Sequence, residues 1–433
     1  MNAFALSITS LSSTGEGIGA IDGYKYFVDG ALPGELVNVV ILAKKKNYAK
    51  AKLQSIITSS ADRVVPICPL FGECGGCQIM HLSYLAQLQV KQRRVVDALE
   101  RIAHIEAPVA PCIASPSPLA YRNKIQLPIS FEEGKRKMGL YKKASHEIIP
   151  IEKCFIQCSQ GEEIFESLSP LLTLPSLRSL CIKNAVTTQE SLVILVTDGS
   201  CPEKTALLAE KIALTPHIKG VVENVNLRDD NVLFSPHFRT LRGRPYIYEK
   251  LNLGTHSKIF RISAPSFFQV NSWQAMNLIS YVIKVADIKK GDTVLDAFCG
   301  VGTFSLFAAD HAKSVIGIEV APQAIADARE NARLNEKVNT SFFVGKAEDL
   351  IPTLADFDIV LLNPPRKGCE PRLISELSRK KPKTIIYISC DPATVARDLS
   401  SLHLAGYKIE CVQPFDMFPQ TMHVETVVKL YWR

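Results

Sequence analysis

No apolar run among the 433 residues approaches the roughly 18 that a membrane-crossing helix needs, so no membrane partner is expected. The opening residues, Met1 to Ser7, lack the basic start and long apolar core of a secretory signal. These absences point to the cytoplasm. In a reducing compartment, twelve cysteines are expected as free thiols, metal ligands or catalysts rather than disulfides. Internal repeats and low-complexity segments are also missing. What remains is ordinary globular composition, 47% hydrophobic and 21% charged, in a chain long enough for roughly two to four domains. A net charge of +7 permits an anionic partner such as nucleic acid.

One more absence shapes the stretch around which the C-terminal part is organised, Thr293 to Phe304. Val294 and Leu295 make a short apolar run ending at Asp296, the pattern of a buried parallel strand. Gly300 and Gly302 follow, where backbone can approach a ligand closely, and a helical pattern starts near Phe304. A dinucleotide fingerprint would place a third glycine where Ser305 stands, which counts against NAD. The next strand, Ser314 to Glu319, ends in an acid able to accept hydrogen bonds from both ribose hydroxyls. An acid before the glycines and another at the next strand end suit S-adenosylmethionine.

Toward the N-terminus, short alternating strands between glycines over residues 1–58 predict a small barrel. Lys44, Lys45, Lys46, Lys50 and Lys52 crowd its last turn and strand, either as a solvated edge or as an RNA backbone contact. Cys68, Cys74 and Cys77 then fall within ten residues, with Gly75 and Gly76 freeing the turn between two of them. Three thiolates so spaced can converge on one metal or cluster, with Cys112, Cys154 or Cys158 as the fourth ligand. Spacing leaves zinc and iron–sulfur both open. Residues 81–104 read as a helix and 122–143 as a basic hairpin turning near Gly134. Residues 160–260 alternate strand and helix patterns without identifiable chemistry. From about 261, alternating helices and apolar strands predict a doubly wound sheet whose last two strands suit an edge.

Three strand ends carry reactive groups. Asn363-Pro-Pro-Arg366 makes a rigid lip. Cys390 follows the strand Thr384 to Ser389 and precedes a helix whose positive N-terminal end lowers a thiol pKa. Glu425 starts the last strand, where an acid beside a nucleophile serves as a proton acceptor.

These motifs, in this order, resemble the bacterial RNA (uracil-5-)-methyltransferases, and their ribosomal-RNA branch in particular. The most specific pieces are the cysteines at 68, 74, 77 and 154, Phe268 to Asn271, Asp296 to Phe304, Asn363 to Arg366, Tyr387 to Asp398, and Asp416 to Glu425. The resemblance implies an α/β fold in three parts. Residues 1–58 correspond to a TRAM domain, an OB-type barrel that holds RNA. Residues 59–260 correspond to a central α+β iron–sulfur and RNA-binding domain, whose helical segment 81–110 packs on the catalytic domain. Residues 261–433 correspond to a Rossmann-like, S-adenosylmethionine-dependent methyltransferase domain.

By the same resemblance, Cys68, Cys74, Cys77 and Cys154 are ligands of a four-iron–four-sulfur (4Fe-4S) cluster, and Cys158 has no match. Gln269, Phe298, Thr303 and Glu319 match positions that contact S-adenosylmethionine. Cys390 matches the nucleophile, Glu425 the general base, and Phe267 a residue that packs on the flipped uracil. The implied substrate is 23S ribosomal RNA, and the enzyme is expected to act as a monomer. Two positions depart from the family. Asn363 stands where an Asp is usual, keeping a carbonyl acceptor for the cofactor without the charge. Asp391 stands where an Asn is usual, a negative charge expected to raise the pKa of Cys390. Competing expectations are the same reaction on transfer RNA, an adenine amino-methyltransferase using Asn-Pro-Pro, and an inactive RNA-binding protein.

Overall fold

The computed structural model describes residues 3–228 and 232–432. The N-terminal strands Phe4–Leu11, Gly17–Ile21, Tyr24–Val28, Tyr48–Thr58 and Leu36–Lys44 close, in that spatial order, into a barrel. Alternation puts Leu6, Ile8, Val28, Val37 and Val39 inside. Gly19 is required where strands crowd, because a Cβ there would stand 2.4 Å from Ser7 O. The five lysines of the last turn and strand are all exposed.

A seven-stranded central sheet follows, in the order Phe238–Gly243, Ile218–Val225, Glu190–Thr197, Leu177–Ala185, Lys124–Glu132, Lys135–Tyr141, Ile148–Pro150. Its middle strands read as almost continuous apolar runs because both faces are covered. Helices Ser159–Leu168 and Pro202–Ala213 cover one face. The hairpin Tyr246–Leu253 and His256–Ser263 covers the other, and its residues share one core with the C-terminal sheet. Position 260 therefore falls inside a strand, with no break in packing around it.

The C-terminal sheet has the order Thr340–Val344, Ser314–Glu319, Thr293–Asp296, Ile359–Leu362, Thr384–Ser389, Glu425–Trp432, Tyr407–Phe415. The first five are parallel and the strand Glu425–Trp432 runs antiparallel between its neighbours. Strand order reverses between Thr293–Asp296 and Ile359–Leu362, which opens a crevice at the carboxyl ends. The final pair does lie at the sheet's margin, but Tyr407–Phe415 is the edge. The strand that begins with Glu425 is interior, so this acid is 5% exposed instead of solvated.

Helix Tyr84–Ala98, capped by Ser83, continues as a wide turn to Ala103. Although it precedes the central sheet in the chain, it packs on the C-terminal one. Val95, Ala98 and Leu99 share a core with Tyr387, Val395 and Leu399.

Candidate active site

Six of the seven candidate cofactor and catalytic residues line one cleft of about 1300 Å³: Gln269, Phe298, Glu319, Asn363, Cys390 and Glu425. Thr303 lines an adjoining recess of about 50 Å³ with Gln269, Phe298 and Asn363. It is the first residue of helix Thr303–Ala308, preceded by Gly302 in the left-handed region at φ 85°. A Cβ on Gly302 would press to 3.3 Å from the Phe342 ring. The Glu319 carboxylate accepts from the Gly300 and Ala321 N–H groups at 3.3 and 3.0 Å, which fixes it at the mouth of the glycine turn. Ser305, in place of the third glycine, donates its hydroxyl to Asp296 at 2.6 Å. Asp296 is so buried that its pKa rises to about 7, and its second carboxyl oxygen has no hydrogen-bond partner among the described residues.

The other end of the cleft holds the nucleophile candidate. Burial raises the Cys390 pKa, the Glu425 charge raises it further, and the Arg366 guanidinium pulls it back. The helix N-terminus beside Cys390 does not outweigh burial. Nor is Asp391 the acid that perturbs this thiol. Its carboxylate turns away to accept from Ala393 and Thr394 N–H at 2.9 and 3.3 Å as the cap of helix Pro392–Leu404, so sequence adjacency pointed to the wrong acid. Glu425 itself is raised to about 8 by burial. Arg366 also donates weakly toward His423 Nε2 at 3.4 Å, and burial depresses His423 to about 4, leaving it neutral. Phe267, 67% exposed, projects an apolar ring at the cleft wall.

The model of the tRNA (uracil-5-)-methyltransferase family matches residues 83–433, and a TRAM domain model matches residues 4–53. The chain belongs to the RNA uracil-5-methyltransferase family. Similar proteins agree with that membership. A protein named only as an uncharacterized RNA methyltransferase, from Clostridium tetani, is 40% identical across 99% of this chain and 96% of its own. One of the same description from Halalkalibacterium halodurans is 39% identical across 98% and 96%. Among solved structures, the tRNA (uracil-54, C5)-methyltransferase of Pyrococcus abyssi, crystallised with S-adenosyl-L-homocysteine, is 29% identical. It covers 99% of this chain and 100% of its own at a TM-score of 0.75.

For a member of this family, the part of the cleft lining contributed by the central sheet is of interest, because sequence reasoning missed half of it. Arg122 and Lys124 come from the predicted basic segment, but Lys183 and Asn184 come from a region that offered no legible chemistry. Lys183 is buried, lowered to about 7 by desolvation, and donates to the carbonyls of Ser263 and Ser266 at 3.1 and 2.7 Å. Farther along the hairpin several cations are paired within the protein. Lys137 meets Glu132 at 2.6 Å, Lys143 meets Asp29 at 2.5 Å, and Arg136 donates to Ser169 O.

The cysteines at 68, 77 and 154 gather around Met80, Tyr121 and Ile156, and Cys74 is close enough for its charge to bear on Cys77. Burial, then mutual repulsion, raises the Cys77 thiol, and Cys154 is pushed to about 11, chiefly by burial. Cys158 and Cys112 are buried elsewhere in the packing. Among the described residues, no group of three or more His, Cys, Asp or Glu is arranged to hold a metal ion, so the four cysteines do not form a ready-made ligand set here.

Proposed function

We propose that this protein methylates carbon 5 of a uridine in 23S ribosomal RNA with S-adenosylmethionine, through a covalent adduct on Cys390. The observation that carries the reading is a thiol and a carboxylate of raised pKa at one end of a cleft whose other end is a glycine turn closed by an acid. The donor fits the residues present: Glu319 for its ribose, Phe298 and Gln269 beside it, Thr303 and Asn363 at the recess. Bound there, it supplies an electrophilic methyl group.

The chain's own residues do the rest. The flipped uracil enters against Phe267. The Cys390 thiolate, favoured by Arg366, adds at carbon 6 and makes carbon 5 an enolate-like nucleophile. Once carbon 5 is methylated, Glu425 takes its remaining proton. With a pKa near 8, Glu425 is a far stronger base than an ordinary carboxylate. The released electron pair restores the ring double bond and expels the thiolate.

Cys68, Cys74, Cys77 and Cys154 are proposed to hold a four-iron–four-sulfur cluster. Four neighbouring thiols that repel one another suit a cationic centre. The cluster takes no part in the steps above.

A second reading keeps the reaction and makes transfer RNA the substrate. It is favoured by the Pyrococcus enzyme, a tRNA methyltransferase aligned along nearly all of this chain, barrel included. Transfer of labelled methyl to unmodified 23S ribosomal RNA and to unmodified transfer RNA, with nucleosides identified by mass spectrometry, decides. 5-Methyluridine in ribosomal RNA alone is expected. The same product in transfer RNA alone replaces the substrate, and a methylated adenine removes Cys390 from the mechanism.

A further inference from the structure

The loop from Asp416 to Val424 delivers Glu425 to the cleft, and it is held chiefly from outside the methyltransferase sheet. The backbone N–H groups of Gln78 and Ile79 both donate to Gln420 O, at 3.0 and 3.1 Å. Gln87 then grips the same residue twice: its Nε2 donates to Gln420 Oε1 and its Oε1 accepts from the Gln420 N–H, both at 3.0 Å. One turn on, Lys91 donates to the Asp416 carboxylate and to Phe418 O, with both charged side chains 0% exposed. One turn further, Arg94 donates to Met422 O. Positions 87, 91 and 94 lie on one side of the helix, so a single helix face reads the loop residue by residue.

A second observation gives the grip a purpose. Gln420 is held at φ 70°, a left-handed conformation that costs a non-glycine residue energy and persists only where its surroundings impose it. The residue under that constraint is the one that Gln87 clasps, five positions before Glu425. A loop left to itself would relax out of this conformation and carry the carboxylate with it.

We infer that Gln87 and Lys91 are positioning residues for proton abstraction: they fix the loop that sets Glu425 against carbon 5. The inference rests on the roles proposed above for Cys390 and Glu425. It makes a demand that simple structural support does not. Addition of Cys390 and methylation of carbon 5 precede the base's action, so a displaced base stalls the reaction late. The carbon 5–hydrogen bond stays intact, its electrons are not released, and the bond between Sγ and carbon 6 does not break. Protein then accumulates joined to methylated RNA.

The test uses the full-length protein with unmodified 23S ribosomal RNA and labelled S-adenosylmethionine, and measures kcat, KM and label in denaturant-stable protein–RNA adduct. Glu425→Gln serves as the reference for a missing base. Gln87→Ala and the paired change Lys91→Met with Asp416→Leu, which leaves no lone buried charge, are expected to lower kcat about 10- to 100-fold with KM little changed. Both should accumulate labelled adduct, as the reference does. If the double variant does not fold, Gln87→Ala carries the test. A fall in kcat without adduct, or unchanged kcat, overturns the inference. Absence of adduct in Glu425→Gln itself would instead overturn the roles of Cys390 and Glu425, and the inference with them.

Discussion

Cys390 in the cleft and Cys74, Cys77 and Cys154 in the central region are all thiols that burial pushes to higher pKa, and they differ in the charges that face them. Cys390 faces Arg366, whose cation and hydrogen bond favour the thiolate, against the opposing charge of Glu425. Cys77 faces chiefly other thiols, Cys154, Cys74 and Cys68, with Arg122 offsetting part of their effect. The difference bears on how one residue type would be divided between the two roles proposed for it. A thiol beside a guanidinium can ionise alone, as a nucleophile must. Thiols beside thiols ionise together only when a cationic centre joins them, as ligands must. Burial is common to both and so does not discriminate; the neighbour does.

The sharpest way to break this comparison is to remove one thiol of each kind. Cys390→Ala should lower kcat by about 10⁴-fold or more while leaving thermal stability nearly unchanged. Cys154→Ser should do the reverse, removing bound iron and lowering Tm by roughly 5–10 °C through lost metal-linked stability. Activity assays, iron determination and thermal melts read both. A Cys154→Ser protein with full stability and no iron to lose would dissolve the distinction.

The next largest effect concerns the acid that opposes Cys390. Glu425 titrates near 8 in the folded protein against an ordinary value of 4.5, so the folded state holds an extra proton between those limits. Its contribution to stability therefore falls as pH rises through that window and is fully lost above about 8. Glu425→Gln cannot ionise. It should match wild type below pH 4.5 and be more stable above pH 8, by up to about 5 kcal/mol. Denaturant melts across pH would show it. The same titration makes wild-type kcat climb with pH up to about 8, since only the carboxylate accepts a proton.

A smaller effect is expected at the cation. Arg366→Leu removes the group that favours the thiolate, so the alkylation profile of Cys390 should move to higher pH and its rate at fixed neutral pH should fall. The smallest is expected at Asp391, whose carboxylate is committed to the helix cap. Asp391→Asn keeps a good capping side chain and should leave the alkylation profile within about 0.3 unit of wild type. A larger shift would mean that Asp391 faces the thiol after all.

Much of this was legible in the chain itself. Apolar runs ending in Asp296, Glu319, Asn363 and Cys390 mark parallel strands whose carboxyl ends form one crevice, and the cleft gathers the ends of all four strands. What escaped was whatever depends on which strands are neighbours. Glu425 reads as an edge acid because nothing local says that its strand inserts inside Tyr407–Phe415. Lys183 lies in a stretch with no legible chemistry, since the segment whose carbonyls it meets lies some 80 residues away in sequence. Asp391 was misjudged for the opposite reason: being adjacent to Cys390 says nothing about where its side chain turns.

The clasp between Lys91 and Asp416 joins residues 325 positions apart. During synthesis at about 5–20 residues per second, the helix carrying Lys91 emerges roughly 15–65 s before its partner exists. Through that interval a lysine destined for complete burial stays charged and hydrated, and the helix face that will read the loop has nothing to read. The proposed base is thus put in place only by chain made 325 residues after the helix that grips it, and a ribosome that stops short of residue 416 leaves the barrel and the central sheet without it.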